Sequence, residues 1–397
     1  MTFDLPEDLR EARRHVRAFA RAEIAPHAAR RDEEGTFPRA TLAEMGALGL
    51  LGVTTPERYG GAGLDMAAYV VFLEEIAAAD ASLATLMAVT NGLPQKMLLD
   101  HGSEAQKEAY LPPLASGRAF GAFCLSEPHA GSDAAALRTR AVRDGDGWRL
   151  RGTKAWVTGG GEADLYLVLA VTEPDAGARG VTAFLVPAGS DGLSFGAPER
   201  KLGQHAAVTT TVNLDDVPVD DADRLGRTGE GFVAAMASLD GGRIGIAAQS
   251  VGIARAAFHH ALRYADERRA FGRRIREFQG VSFPLAEMAT RIDAARLLTR
   301  RAAWAMDRGF RVTKEASMAK LHASETAGFV TDAALQILGG AGYTRDHPVE
   351  RYVRDARVTR IYEGTSEIQK VVVARQLVRD LERGELDGPG PAEGGVE

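Results

Sequence analysis

The chain has 397 residues, of which 45% are hydrophobic and 26% charged, and its formal net charge is −6. This length predicts two or three domains with a large core, and the mildly acidic balance argues against nucleic acid as the main partner. No apolar run reaches the roughly 18 residues that a membrane span needs, and the N-terminus lacks the features of a signal or transit peptide. We therefore expect a cytoplasmic protein. Its single cysteine, Cys124, excludes an internal disulfide and a cysteine-cluster metal site.

Residues 1–120 predict an N-terminal α-helical domain. Asp4 and Glu7 have the spacing of a capping box, and Ser103 marks another helix start. The stretch "MAAYVVFLEEIAAAD" at 66–80 is apolar on too many sides for a surface helix. We expect it to be buried between other helices.

Residues 121–230 predict a middle β domain. Runs of β-forming residues alternate with Asp/Gly turns, and Asp144–Gly147 has the composition of a hairpin tip. No helical pattern interrupts them. An antiparallel β-barrel or sandwich is therefore expected rather than a parallel sheet with crossover helices.

Residues 231–384 predict a C-terminal four-helix bundle, so that the whole chain is an α+β multidomain protein. Long helical patterns with short joints favour antiparallel neighbours, and these patterns run near 231–267, 278–308, 313–338 and 347–382. The last residues, 385–397, are rich in Gly, Pro and Glu and predict a disordered tail.

Several common motifs are missing, and one is misleading. The sequence has no G-x-G-x-x-G and no Gly–Lys pair, which argues against a Rossmann dinucleotide site and a P-loop. The bundle has no Glu-x-x-His pair for a di-metal centre, and we expect no metal. "GLSFG" at 192–196 matches the nucleophile elbow around Ser194, but that elbow needs a helix after it and β-type sequence follows here. Ser194 is therefore interpreted as a turn serine.

The stretch "IYEGTSEIQ" at 361–369 places Glu363 between large apolar residues and a bend. Burying such a carboxylate is costly, because desolvation disfavours its charged form. Taken alone, the residues leave two interpretations open: Glu363 faces water, or it is a buried carboxylate with a raised pKa.

Three further stretches carry a resemblance. They are "FCLSEPHAGSD" at 123–133, "KAWVTGG" at 154–160, and "QILGGAGY" at 336–343 followed by "RDARVTRIYEGTSEIQ" at 354–369. In this order, and in a helical–β–helical frame, the chain resembles the acyl-CoA dehydrogenase family of flavoproteins over residues 1–382. "LDGGRIGIAAQSVGIA" at 239–254 is most similar to the short-chain, butyryl-type branch and its bacterial relatives.

The resemblance implies FAD-dependent α,β-dehydrogenation of an acyl-CoA thioester to trans-2-enoyl-CoA. Glu363 would remove the α-proton with a pKa raised toward roughly 6–7, flavin N5 would accept the β-hydride, and an electron-transfer flavoprotein would take the electrons. Two alternatives remain: an acyl-CoA oxidase that reduces oxygen, and a non-enzymatic helical scaffold that kept the fold.

The resemblance also assigns cofactor contacts. Residues lining the flavin would be Phe123, Leu125, Ser126, Ser132, Trp156, Val157 and Thr158, with the Thr158 hydroxyl on N5, and Thr365, Ser366 and Glu367 would also face FAD. From a neighbouring subunit of a homodimer or homotetramer would come Arg268, Gln279, Gln336, Leu338, Gly339 and Gly340. From the residues alone, Trp156 and Thr158 also suit a β-domain core, and the arginine-rich run at 268–276 also suits a solvated helix end.

Substrate contacts are implied at Ser132, Asp240, Gly241, Gly242, Arg243 and Gly364. Some branches of the family carry their base at the position of Gly242, which has no side chain here. One departure is His129, which stands where many members have glycine.

Overall fold

The fold is described from a computed structural model over residues 4–384, and the predicted disordered tail at 385–397 lies outside these residues. In the described part of the chain the first elements are helical: α1 (Glu7–Phe19), α2 (Ala28–Glu34), α3 (Arg39–Ala47), α4 (Met66–Ala79), α5 (Ala81–Asn91), α6 (Leu93–His101) and α7 (Glu104–Ala115). A π-helical turn, Ala20–Ile24, continues α1.

The start signals of these helices are partly confirmed. Ser103 and Gln106 form the predicted capping box of α7. Helix α4 is buried along most of its length, as its composition predicts. The capping box predicted at Asp4 and Glu7 is wrong. Helix α1 begins at Glu7 directly after Pro6, without a side-chain cap, so Asp4 lies too far upstream to reach its first free N–H groups.

The middle region is a sheet of eight strands: β1 (Gly121–Cys124), β2 (Arg140–Asp144), β3 (Gly147–Thr158), β4 (Leu165–Val171), β5 (Val181–Pro187), β6 (Leu193–Phe195), β7 (Thr209–Asp220) and β8 (Arg224–Leu225). Their hydrogen-bonded order is β6-β7-β3-β2-β4-β5-β8, with β1 beside β4. The predicted middle β domain is therefore confirmed as a sheet, but the predicted antiparallel barrel is not shown to be closed in the described residues. The order ends at β6 and β8, and β1 and β2 both pair with β4 in parallel.

One local prediction in this region is confirmed and another is wrong in part. Asp144 pairs with Gly147 at the tip of the β2–β3 hairpin. Ser194 lies within β6 and is therefore not a turn serine, but the residues after that strand form a loop rather than the helix that a nucleophile elbow requires.

The C-terminal region contains the helices α8 (Gly231–Glu267), α9 (Gln279–Asp307), α10 (Thr313–Leu338), α11 (Val349–Arg357) and α12 (Ser366–Arg383). A short hairpin, β9 (Arg269–Ala270) with β10 (Arg273–Arg274), lies between α8 and α9. The predicted fourth long helix, 347–382, is wrong. It is broken after α11 because Glu363 and Gly364 adopt left-handed backbone conformations, with φ of 55° and 90°.

The direction of these helices decides which residues can meet. Thr313, at the start of α10, donates to Asp240 near the start of α8 at 2.6 Å. His347, just beyond α10, lies 3.1 Å from His260 near the end of α8. Helices α8 and α10 therefore run in the same direction. Among residues 4–384, none of the helices combines the length and apolarity needed to cross a bilayer.

Candidate active site

Two side chains form hydrogen bonds to the backbone of the turn that carries Glu363. Buried Lys320 of α10 donates from Nζ to the Gly364 carbonyl at 2.8 Å. Gln369 of α12 donates to the carbonyls of both Glu363 and Gly364, each at 3.0 Å. A left-handed glutamate costs on the order of 1 kcal/mol or more, and such a conformation persists only where its surroundings hold it. These three hydrogen bonds supply that support.

One oxygen of the Glu363 carboxylate is shielded from solvent. This oxygen, Oε2, is buried and has no hydrogen-bond partner in the described residues, although the residue as a whole is only half-buried. Burial raises the pKa of Glu363 to about 7, against the opposing charges of Arg243 and Lys320. Burial also lowers the pKa of Lys320 to about 8, while Glu363 acts in the other direction. At neutral pH the Glu363 carboxylate can therefore accept a proton without first losing a salt bridge.

Helix α8 passes directly beside this carboxylate. A Cβ added to Gly242 would lie 2.7 Å from Glu363 Oε2, so the missing side chain leaves the room that the carboxylate occupies. Arg243 pairs with Asp240 at 2.6 Å, both being nearly buried. A Cβ on Gly241 would meet only Met side-chain ends, at 3.7 Å or more.

A second group of predicted residues lies on the middle sheet. Phe123 is in β1, and Leu125 and Ser126 follow that strand. The Ser126 carbonyl accepts from Ala155 N–H at 2.9 Å, which ties this segment to the part of β3 that carries Trp156. Trp156 has φ of 60° at an irregularity in the β3–β7 pairing and is 64% exposed.

The remaining members of this group surround that point. Val157 is buried and Thr158 half-buried, while Ser132 lies exposed in the loop after β1. His129, the noted departure, lies in the same loop with Nε2 at 3.2 Å from the Ala136 carbonyl. The loop has a defined contact at this position despite the unusual residue.

A third group lies at the far end of the bundle. It comprises Arg268 and Gln279, which flank the β9–β10 hairpin, and Gln336, Leu338, Gly339 and Gly340 at the end of α10. All except Leu338 are exposed. Arg268 lies 25 residues beyond Arg243 on α8, which corresponds to about 38 Å along a helix. Within one chain the structure therefore does not bring this group to Glu363.

The residues after Glu363 that are predicted to contact FAD lie at the start of α12. Thr365 is its N-cap, and its side chain accepts from Ile368 N–H at 3.3 Å. Ser366 is buried and donates to Glu325 at 2.8 Å, whereas Glu367 is exposed.

Sequence reasoning missed the residues that support Glu363 from outside its own motif. Lys320 is the main example, since the positions three and four residues away on the same face of α10 are small and buried: Ala316, Ser317, Ala323 and Ser324. A lysine at that helical spacing is a signal that the sequence did contain. Tyr69 was also missed. It is buried in α4, and burial, followed by the charge of Glu363, raises its pKa.

A buried hydrogen-bond network behind Tyr362 was missed as well. Tyr362 donates to Gln249 of α8 at 2.7 Å, and Gln249 donates to Thr85 of α5 at 2.7 Å. Thr85 donates to Gln204, from the loop before β7, at 2.5 Å. Three parts of the chain thus fix the residue that precedes Glu363.

Family models match most of the chain. The model described as acyl-CoA dehydrogenase, N-terminal domain, matches residues 6–118, the middle domain matches 122–217 and the C-terminal domain matches 229–378. The chain belongs to the acyl-CoA dehydrogenase family. It is therefore an acyl-CoA dehydrogenase, an oxidoreductase that uses FAD.

Individual relatives agree with this assignment. An acyl-CoA dehydrogenase of Bacillus subtilis (strain 168) is 47% identical over 366 residues, covering 92% of this chain and 97% of that protein. The solved butyryl-CoA dehydrogenase from Megasphaera elsdenii is 40% identical with a TM-score of 0.93, covering 96% of this chain and 100% of that one. A chain in a structure described as the electron transferring flavoprotein of Acidaminococcus fermentans is 42% identical with a TM-score of 0.94, at the same coverage.

Proposed function

We propose that this acyl-CoA dehydrogenase converts short-chain acyl-CoA thioesters to trans-2-enoyl-CoA, with Glu363 as the base that removes the α-proton. The observation that carries the proposal is the buried, unpartnered Oε2 of Glu363, whose carboxyl has its pKa raised to about 7. A general base is most effective when its pKa lies near the working pH. The missing Cβ of Gly242 supplies space next to that oxygen and excludes a base from that position of α8.

The reaction places two demands on the residues around Glu363. Removing an α-proton leaves negative charge on the thioester oxygen, and the Glu363 backbone N–H is our candidate donor to it. Gly364, Asp240, Gly241, Gly242 and Arg243 would surround the thioester and the pantetheine. FAD, when bound, accepts the β-hydrogen as hydride.

The residues present fit a flavin. Trp156 exposes a large aromatic face where β3 departs from regular pairing, beside Thr158 and the segment of Phe123–Ser126. We propose that Phe123, Leu125, Ser126, Ser132, Trp156, Val157 and Thr158 hold the ring system, with Thr365, Ser366 and Glu367 also in contact with FAD.

We propose that the far-end group binds FAD of a neighbouring subunit in a homodimer or homotetramer. The separation of about 38 Å between Arg243 and Arg268 along α8 supports this, because one chain cannot place both at one cofactor site. Phe271, at the tip of the β9–β10 hairpin, is 96% exposed, and Tyr343 after α10 is 84% exposed. Covering such aromatic side chains favours contact between copies.

Four finer assignments complete the proposal. The similarity to butyryl-CoA dehydrogenase and the "LDGGRIGIA" stretch support a short-chain substrate, and the similarity to a chain in an electron transferring flavoprotein structure supports such a protein as electron acceptor. We propose domain boundaries at 1–120, 121–230 and 231–384. A cytoplasmic location remains our expectation.

Glu363→Gln tests the proposed base. The amide is nearly isosteric but does not accept the α-proton, so the variant should keep FAD yet lose at least about 10²–10⁴-fold in the rate of anaerobic flavin bleaching by butyryl-CoA. Glu382→Gln, an exposed change near the end of α12, the helix that follows Glu363, is the control. Wild-type bleaching by Glu363→Gln would disprove the assignment of the base. Separately, a C12–C16 optimum in kcat/KM would disprove the short-chain preference.

A further inference from the structure

A large cleft lies away from Glu363, lined by α1 and its π turn, by α4, α8 and α9, and by Tyr352 of α11. Its volume is about 780 Å³, which is within the range of small-molecule sites. The contribution of α8 begins at Arg255, about 18 Å along the helix from Arg243, and Arg268 does not line the cleft. Alanines on the same walls, such as Ala20 and Ala256, leave its interior open. The cleft is therefore separate from both the base and the far-end group.

The cleft is lined by seven arginines against two carboxylates, Glu75 and Asp293. The arginines come from the first helix and its π turn (Arg13, Arg17, Arg21), from α8 (Arg255, Arg263) and from α9 (Arg296, Arg300). Such a concentration of one charge requires compensation, since neighbouring guanidinium groups repel each other.

Only part of that compensation is present. Glu75 is buried and accepts from Arg13 at 2.6 Å and from Arg255 at 2.7 Å, and Glu74 lies behind it. With Glu74 counted, three carboxylates face the seven arginines at the cleft. In residues 4–384, Arg21 and Arg263 form no ion pair.

Two histidines, His259 and His260, also line the cleft, and the pKa of each is lowered. Burial lowers the pKa of His259, and the nearest arginines, Arg255 first, lower it further. Burial and then His347 lower the pKa of His260. Neither histidine therefore adds charge at neutral pH, and the positive charge at the cleft is that of the arginines alone.

We propose that this arginine cleft binds a small polyanion with at least two phosphate groups, such as pyrophosphate or the diphosphate of a free nucleotide. The planar guanidinium fork donates to two phosphate oxygens at once. Arg255 has both terminal nitrogens on Glu75 at 2.7 Å, so Arg21 and Arg263 are the arginines that would contact the phosphates. A concave site lined by several helices suits a small ligand better than an extended acidic segment. Binding leaves Glu363 untouched and does not depend on the proposed reaction.

The test is calorimetric titration of the FAD-loaded, full-length protein with pyrophosphate at low salt. We expect one saturable site per chain, with affinity that falls as salt increases. The double variant Arg21→Glu, Arg263→Glu changes two exposed arginines without an ion pair, so folding should persist. Its Kd should rise at least about tenfold.

The control is Arg14→Glu, Arg30→Glu, which makes the same change in net charge at exposed side chains outside the cleft. It should bind pyrophosphate with a Kd within about twofold of wild type. No saturable binding by the wild type would overturn the proposal, and so would an equal loss in the control. If the wild type binds no pyrophosphate and the cleft variant alone changes the oligomer size in sedimentation, the cleft is a contact between copies and the proposal is wrong.

Discussion

Lys320 offers a direct test of the electrostatics around Glu363. Its ammonium group is fully buried, donates to the Gly364 carbonyl at 2.8 Å, and lowers the pKa of Glu363. Lys320→Met keeps most of the side-chain volume and removes the charge. The Gly364 carbonyl retains its second donor, Gln369 Nε2, at 3.0 Å. We therefore expect the turn to survive the substitution.

The size of the effect follows from the charge that is lost. An opposite charge within about 4–6 Å lowers a carboxyl pKa by about 1–3 units. Because Arg243 remains in the variant, we expect the loss of Lys320 to raise the pKa of Glu363 by about one unit. At pH 7 a base with a pKa of about 7 is half ionised, and one with a pKa of about 8 is roughly one-tenth ionised. The expected loss in kcat/KM is therefore about fivefold at pH 7. By pH 9 it should vanish, because Glu363 is ionised in both proteins and Lys320, with a pKa of about 8, is itself mostly neutral in wild type.

The assay is the pH dependence of kcat/KM for butyryl-CoA, which reports the free enzyme. The acid limb should move to higher pH in Lys320→Met. Lys314→Met, on the same helix, removes the ion pair with Asp380 and should lower Tm without moving that limb. An unchanged acid limb in Lys320→Met would refute the electrostatic reasoning. A loss that is equal at every pH would show that Lys320 only supports the turn.

Three further predictions address the other groups. Arg268→Ala should raise the Kd for FAD about tenfold or more by removing a charge-assisted contact, whereas Arg269→Ala, at the exposed neighbouring residue, should not. If Arg268→Ala retained FAD as well as the wild type, our placement of Arg268 would be wrong. In a Glu363→Gly background, Gly242→Glu should restore part of the flavin bleaching, since a Cβ at position 242 lies beside the space that the native carboxylate occupied. Failure in a folded, FAD-loaded protein would disprove the placement of residue 242 beside the substrate. Asp355→Asn should raise Tm relative to wild type more at pH 8 than at pH 5. Burial raises the pKa of Asp355 to about 7, so its stabilising contribution is present below about pH 4 and is lost as pH rises toward 7; a Tm difference that does not change with pH would contradict this.

Local sequence patterns predicted much of the fold because they reflect local physics. The all-round apolar stretch at 66–80 indeed forms the buried helix α4, and Ser103 caps α7. The sheet order was less predictable, because β1 pairs in parallel with β4 across some forty residues and no local alternation encodes that partner. The break before α12 was missed for a similar reason. Helical periodicity continues on both sides of Glu363. The left-handed turn is held by local hydrogen bonds from Gln369 and by one from Lys320, which is distant in the sequence.

In the candidate site, too, the sequence predicted the local feature but not the one that depends on tertiary packing. The motif around Glu363 could be located through its resemblance to a family, but the state of its carboxylate could not, since burial depends on α8 and α10 packing over it. Lys320 has the same sequence signature as any solvated helical lysine unless its face is first recognised as buried. Charge on a buried face is thus the feature that sequence reasoning should search for near a proposed base.

The length of α8 constrains how the enzyme can be assembled. Its 37 residues span about 55 Å, with Gly242 and Arg243 beside Glu363 near one end and Arg268 just beyond the other. Between them, Arg255 is paired with buried Glu75 of α4, which ties the middle of the helix to the N-terminal helices. A helix of that length separates the end beside Glu363 from the proposed FAD-binding group at Arg268 within each copy. If two copies pair end to end, the Arg268 end of α8 in one copy can lie at the cofactor beside Glu363 of the other. On this geometry, loss of the contact between copies should release FAD before it unfolds either chain.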